Sequence, residues 1–197
     1  MEDQPPPLPR SISERSPEAL FLDRDGTLIE HKPYLYDPAG VVLLPGVREA
    51  LLRAKQASIR LFLFTNQSGV GRGMFTMADV DAVNRRMLDL LGLGPDLFTA
   101  ICVAPEHPDG PSVYRKPSPR FIEETLALHR IDGDAAWMLG DSAVDWEAGL
   151  NAGIQVAAVV PDPRAPKDLE TRIRLGVPAF AGVLEWLRGT TLNVPWN

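Results

Sequence analysis

From about residue 17 onward the chain alternates short apolar runs with segments whose apolar residues recur at helical spacing. The runs predict strands at about 18–23, 59–65, 98–104, 135–140 and 154–160. Between them, Val47, Ala50, Leu51 and Ala54 recur three and four apart, as do Val80, Val83, Met87 and Leu90, each set marking an amphipathic helix. Strands and helices in alternation predict an α/β fold, a Rossmann-like three-layer sandwich with a mainly parallel sheet.

Local signals set boundaries. Thr76 followed by Asp79 reads as a capping box, and Ser118 ahead of Pro119 reads as an N-cap with proline at the first helical position. The helix from Pro119 is predicted to end near residues 132–134, and the one from Ala143 at Asn151 or Gly153. Beyond Pro161 the pattern is less regular, with helices expected near 167–175 and 181–188. There is no internal repeat.

A length of 197 residues suits one sizeable domain, placed at 17–190. Residues 1–16, rich in Pro, Ser and charge, read as a disordered tail, and 191–197 as a C-terminal tail. Within the first, "PPPLP" could dock in a polyproline-reading groove, although a plain tail is the simpler reading. Apolar residues at 45% and charged residues at 23% are ordinary for a soluble globular protein. A net charge of −6 and no basic cluster longer than Arg85-Arg86 argue against nucleic acid as a partner. No run approaches the ~20 apolar residues of a membrane span. The single cysteine, Cys102, allows no internal disulfide and reads as core. These features point to cytoplasmic residence and leave the oligomeric state open.

In an open parallel sheet, ligands bind beyond the carboxyl ends of the strands. The polar residues there form an ordered set: Asp23 and Asp25, then Thr65, Asn66 and Gln67, then Asp141 and Asp145, with Lys116 ahead of a proline and a helix start. Residues two apart on extended backbone share a side, so Asp23 and Asp25 are expected to converge on one cation while Arg24 points away. Unpaired carboxylates at a buried strand end need a metal ion or a raised pKa. A few carboxylates completed by water and phosphate suit Mg²⁺, and no soft ligands select zinc or copper. Aspartates are common in turns for local reasons. That explains any one pair but not the whole ordered set.

With those residues assembled, the chain resembles the haloacid dehalogenase (HAD) superfamily of phosphatases from about Leu20 to Val160. The resemblance rests on "FLDRDGTL" (21–28), "FTNQSGVGRG" (64–73), "RKPSP" (115–119) and "LGDSAVD" (139–145). It implies that Asp23 is a nucleophile forming an aspartyl phosphate and that Asp25 is the acid/base. It also implies Mg²⁺ held by Asp23, the Asp25 carbonyl and Asp141, and phosphoryl oxygens held by Thr65, Asn66 and Lys116 with Gln67 and Arg115 beside them. Asp145 is expected to support the site from behind. About forty residues separate Asp25 from Thr65, too few for a separate cap domain. Loops at 30–34, 68–73 and 105–116 would frame access instead, the middle one as a mobile loop. Arg72 in that loop, with Arg115, is expected to grip a second anionic group.

Within the superfamily the motifs are most similar to those of heptose bisphosphate and histidinol phosphatases. Many of those carry a structural zinc on a Cys-Pro-His pattern and a Cys-x-Cys pair. The corresponding positions here are Ala104, Glu106, Ser112 and Tyr114. No structural zinc is expected, since His107 alone reads as a solvated loop residue. The expected activity is Mg²⁺-dependent hydrolysis of a small phosphorylated metabolite, foremost a sugar phosphate such as heptose 1,7-bisphosphate. The alternatives are histidinol phosphate, a nucleic-acid 3′-phosphate, and a catalytically silent binding protein, the last opposed by retention of every motif residue.

Overall fold

The computed structural model describes residues 16–162 and 167–189. The tails expected at 1–16 and 191–197 lie outside those residues, apart from Ser16. Six strands form one sheet: β1 (Ala19–Leu22), β2 (Arg60–Asn66), β3 (Ala100–Ala104), β4 (Ala136–Gly140), β5 (Gln155–Val159) and β6 (Ala179–Phe180). Their order is β3-β2-β1-β4-β5-β6, and every neighbouring pair is parallel.

The central runs are apolar throughout because both faces of the sheet are covered. In β1, Leu20 and Leu22 face a core shared with Val47, Ala50 and Leu51 of helix α1 (Val47–Gln56), Val83 and Met87 of α3 (Met77–Leu91), and Trp186 of α7 (Val183–Arg188). Ala19 and Phe21 face a second core with Ile122 of α4 (Arg120–His129) and Trp146 of α5 (Ala143–Asn151). Phe21 pairs in register with Phe62, and their rings stack at 4.9 Å. Truncating a buried Phe such as Phe62 costs ~3–5 kcal/mol. These two cores fix β1 rigidly at the centre of the sheet.

The chain runs outward from β1 through β2 to β3, then returns to the other side of β1 for β4. The topological switch point therefore lies between β1 and β4, where the carboxyl ends open a crevice.

Boundaries differ from expectation in instructive places. The Thr76–Asp79 capping box is present, and α3 ends at Gly92 with φ +61°. α4 begins at Arg120 with Pro119 as N-cap, one residue late; the Ser118 hydroxyl donates to the Val113 carbonyl at 2.8 Å and accepts from the Arg120 amide at 3.4 Å. It ends at His129, and the "DGD" segment instead forms a separate 3₁₀ turn over Gly133–Ala135 capped by Asp132. The "SGVG" segment, expected as a mobile loop, forms a helical turn, α2 (Ser68–Gly71). Gly69 packs on the Phe75 ring, and Gly71 donates to the Pro105 carbonyl at 2.9 Å. The helix expected near 167–175 is α6 (Leu169–Leu175). β6, two residues long, is too short to leave a pattern. Among the described residues no helix is long and apolar enough to cross a membrane.

Candidate active site

β1 ends at Leu22, but the Asp23 amide still donates to the Leu139 carbonyl at 3.0 Å and carries the pleat one residue further. Asp23 therefore points to the same side as Phe21, toward the α4/α5 layer. There it meets Lys116, whose ammonium lies 2.7 Å from Asp23 Oδ1, 2.6 Å from Asp145 Oδ1 and 2.8 Å from the Phe64 carbonyl oxygen. Asp23 and the Phe64 carbonyl accept hydrogen bonds from it, and Asp145 faces it as an ion pair. Lys116 is 1% exposed and Asp23 7%.

Burial by itself would push the Lys116 ammonium down, but Asp145 and Asp23 outweigh it and hold the ammonium above its ordinary value. Burial pushes the Asp23 carboxyl above the ordinary carboxylate range. Lys116 opposes that rise, while Asp145, Asp141 and Asp25 add to it.

After Asp23 the backbone turns instead of staying extended, for the Leu28 and Ile29 amides both reach the Arg24 carbonyl, at 2.9 and 3.0 Å. This changes the expected geometry of the pair. Arg24 does not point away; it is buried and curls back, donating through Nε to Asp25 Oδ2 at 3.0 Å and through Nη1 to Asn84 Oδ1 at 3.0 Å. Gln67 Nε2 donates to Asp25 Oδ2 at 2.9 Å and to Thr65 Oγ1 at 2.8 Å. Asp25 is thus clamped from two sides.

The carboxylates brought together are Asp23, Asp141 and Asp145, with one oxygen of each within 4.8 Å of the others. Two glycines permit it. A Cβ on Gly26, at φ +90°, would fall 2.4 Å from Asp141 Oδ2, and one on Gly140 would fall 2.3 Å from the Asp145 Cβ. Burial and the Asp145 charge raise the Asp141 carboxyl, with Lys167, at 3.3 Å, and His31 opposing.

Asp145 has both oxygens engaged. Oδ1 meets Lys116, and Oδ2 accepts from the Ser142 amide at 3.0 Å and the Ser142 hydroxyl at 2.6 Å, closing a capping box on α5. The hard oxygen donors and mutual repulsion of the cluster fit a small divalent cation. Asp23 and Asp141 are the members with capacity to spare for it.

Asn66, at the end of β2, accepts from the Lys116 amide at 2.9 Å and donates to its carbonyl at 3.2 Å. Its side chain therefore positions Lys116. Arg115 Nη1 donates to the same carbonyl at 3.2 Å, and Arg115 Nε is buried without a partner. Arg72 is exposed at the end of α2.

Sequence reasoning missed two supports. Asn84 sits on the buried face of α3, where a polar residue among Val80, Val83 and Met87 was the available signal. Glu106 accepts the Val113 and Tyr114 amides on Oε1, at 3.2 and 2.9 Å, and ties both ends of the loop that delivers Lys116. It occupies one of the four positions compared with zinc ligands above. Burial pushes its carboxyl up, but backbone N–H donors led by Tyr114 outweigh burial and lower it.

A family model described as HAD-hydrolase-like matches residues 113–181. The D-glycero-D-manno-heptose-1,7-bisphosphate 7-phosphatase of Chlorobaculum tepidum is 34% identical over 157 residues, 73% of this chain and 79% of that one. The D-glycero-beta-D-manno-heptose-1,7-bisphosphate 7-phosphatase of Rhodopseudomonas palustris is 35% identical over 143 residues, 69% and 79% of the two chains. The crystal structure of D,D-heptose 1,7-bisphosphate phosphatase from B. bronchiseptica, complexed with magnesium and phosphate, superposes with a TM-score of 0.77 at 26% identity, covering 87% of this chain and 97% of that one.

Proposed function

The chain belongs to the HAD-like phosphatases, and from that premise we propose that it hydrolyses a small sugar phosphate, foremost heptose 1,7-bisphosphate, through a phosphorylated Asp23. The observation that carries the reading is the buried ion-paired set Asp23–Lys116–Asp145 at the switch point, with Asp141 beside it. Lys116 orients the Asp23 carboxylate and offsets the burial that disfavours its charge. Lys116 donates to Asp23 and to the Phe64 carbonyl and is ion-paired with Asp145. Its effect on an incoming phosphoryl group is then chiefly electrostatic, the main lever in phosphoryl transfer.

Asp23 and Asp141, with the Asp25 carbonyl, would hold Mg²⁺, which when bound supplies positive charge against the nucleophile and phosphoryl oxygens. In the first step an Asp23 oxygen forms a bond to phosphorus as the ester bond breaks. Asp25, held by Arg24 and Gln67, gives its proton to the departing alkoxide oxygen. In the second step Asp25 takes a proton from water, which attacks the phosphorus and frees Asp23 and inorganic phosphate. Thr65 Oγ1 already accepts from Gln67 and has its own proton to donate to a phosphoryl oxygen. Arg115 and Arg72 stand as donors to a second anionic group.

The test is hydrolysis of sugar, amino-alcohol and nucleotide phosphates with Mg²⁺, comparing wild type with Asp23→Asn. Preference for a sugar phosphate and loss of all activity in the variant are expected. Equal activity in both proteins would remove Asp23 from the chemistry, and preference for an amino-alcohol or nucleotide phosphate would overturn the substrate.

A further inference from the structure

Asp168 stands at the N-cap position of α6, yet its side chain makes no bond to that helix. An N-cap aspartate ordinarily sits on extended backbone and accepts from the second or third amide of its own helix. Asp168 instead adopts φ +51° and ψ +34°, the left-handed region that disfavours residues with a Cβ, although Asp less than most. No residue of α6 is buried, so core packing of that helix does not dictate the conformation. Such backbone persists only where its surroundings hold it. The Asp168 carboxylate reaches another element, accepting on Oδ2 from the Ala143 amide at 2.8 Å.

That amide belongs to the cation site. Ala143 is the first residue of α5 and follows Asp141 by two. On the same turn the Ser142 amide is held by Asp145 Oδ2 at 3.0 Å, and the Gly140 carbonyl accepts from the Trp146 indole at 2.9 Å. Those two contacts come from within α5, whereas the Asp168 contact comes from outside it. A carboxylate there also suits the start of α5, where amides lack helical partners. The preceding residue, Lys167, places its ammonium 3.5 and 3.3 Å from Asp141 Oδ1 and Oδ2. Asp168 thus grips the backbone of the turn while Lys167 faces its side chain. Toward a cation the two act in opposite senses: a fixed Asp141 favours it, and an ammonium at the same carboxylate repels it.

Resting on the phosphatase reading, we propose that Asp168 is a positioning residue for the divalent cation, holding the turn over 141–143 through the Ala143 amide so that Asp141 faces Asp23. It acts by ordering a ligand in advance, which lowers the cost of binding.

The experiment uses the full chain carrying Lys167→Gln, which removes the opposing charge. It reads Mg²⁺ affinity by calorimetry without substrate, beside urea unfolding without Mg²⁺. Adding Asp168→Ala is expected to weaken Mg²⁺ binding about fivefold, as for loss of one charge-assisted hydrogen bond partly replaced by water. Asp168→Asn keeps a carbonyl acceptor and tolerates left-handed backbone, so most of the affinity is expected to return. Asp168→Gly relieves the backbone without restoring the acceptor. It is expected to unfold at higher urea than Asp168→Ala and to bind Mg²⁺ no better. Asp168 is exposed, so all three variants are expected to fold. Unchanged affinity in Asp168→Ala, or recovery of affinity in Asp168→Gly in step with its urea midpoint, overturns the positioning role and leaves the phosphatase reading standing. Wild type that neither binds Mg²⁺ nor hydrolyses a phosphate ester overturns both.

Discussion

Replacing Glu106 by alanine or glutamine probes how the loop over 105–116 holds Lys116 in place. Alanine removes an acceptor from the Val113 and Tyr114 amides, at 3.2 and 2.9 Å. Hydrogen bonds to a charged group are worth ~1.5–3 kcal/mol each when well buried. Glu106 is only partly buried, and water replaces part of the loss. A net local cost of about 1–2 kcal/mol follows, a factor of ~5–30 in the order of the loop.

Two readouts check it. Hydrogen exchange at the Val113 and Tyr114 amides is expected to speed by that factor, and kcat/KM to fall with it because Lys116 follows two residues later. Glutamine keeps one carbonyl acceptor and is expected to retain most of both. The folded Glu106 carboxyl lies below its ordinary value, so the wild-type contribution is complete above the unfolded value of ~4.3 and is lost as pH falls through the lower folded value. In Glu106→Gln the exchange rates, corrected for intrinsic chemistry, are expected to lose that acid response. Unchanged exchange and kcat/KM in Glu106→Ala would refute the reasoning.

Other perturbations read other joints of the site. Gly26→Ala puts a Cβ 2.4 Å from Asp141 Oδ2 at φ +90°, so Mg²⁺ affinity by calorimetry is expected to fall at least tenfold. Lys116→Met leaves Asp23 and Asp145 buried without their shared cation. Urea unfolding is expected to show a loss of ~3–5 kcal/mol at neutral pH. Asn84→Ala strands a buried Arg24 N–H, with an expected cost of ~1–3 kcal/mol and a fall in kcat as Asp25 loosens.

The sheet was legible because its strands are covered on both faces, so β1, β2, β4 and β5 stand out as apolar runs bounded by turn residues. β3 was legible from "AICVA" even though Ile101 is exposed. β6 and α2 were not, since two to four residues carry no period. The strand-end residues were legible as a set because topology brings them to one edge, but which carboxylates meet was not. That depends on the turn after Asp23, on Arg24 folding back, and on two glycines that let Asp141 and Asp145 approach. Glu106 was invisible for another reason. A carboxylate that holds a loop through backbone amides leaves no pattern in the side chains it binds.

The central claim is a covalent bond between Asp23 and the substrate phosphorus, and one rapid-quench measurement tests it. With the wild-type enzyme quenched in acid within its first turnover, Mg²⁺ and a ³²P-labelled sugar phosphate are expected to leave acid-stable, hydroxylamine-labile label on the peptide containing Asp23. Label on another residue, or release of labelled phosphate with no label on the protein at any quench time, would contradict it.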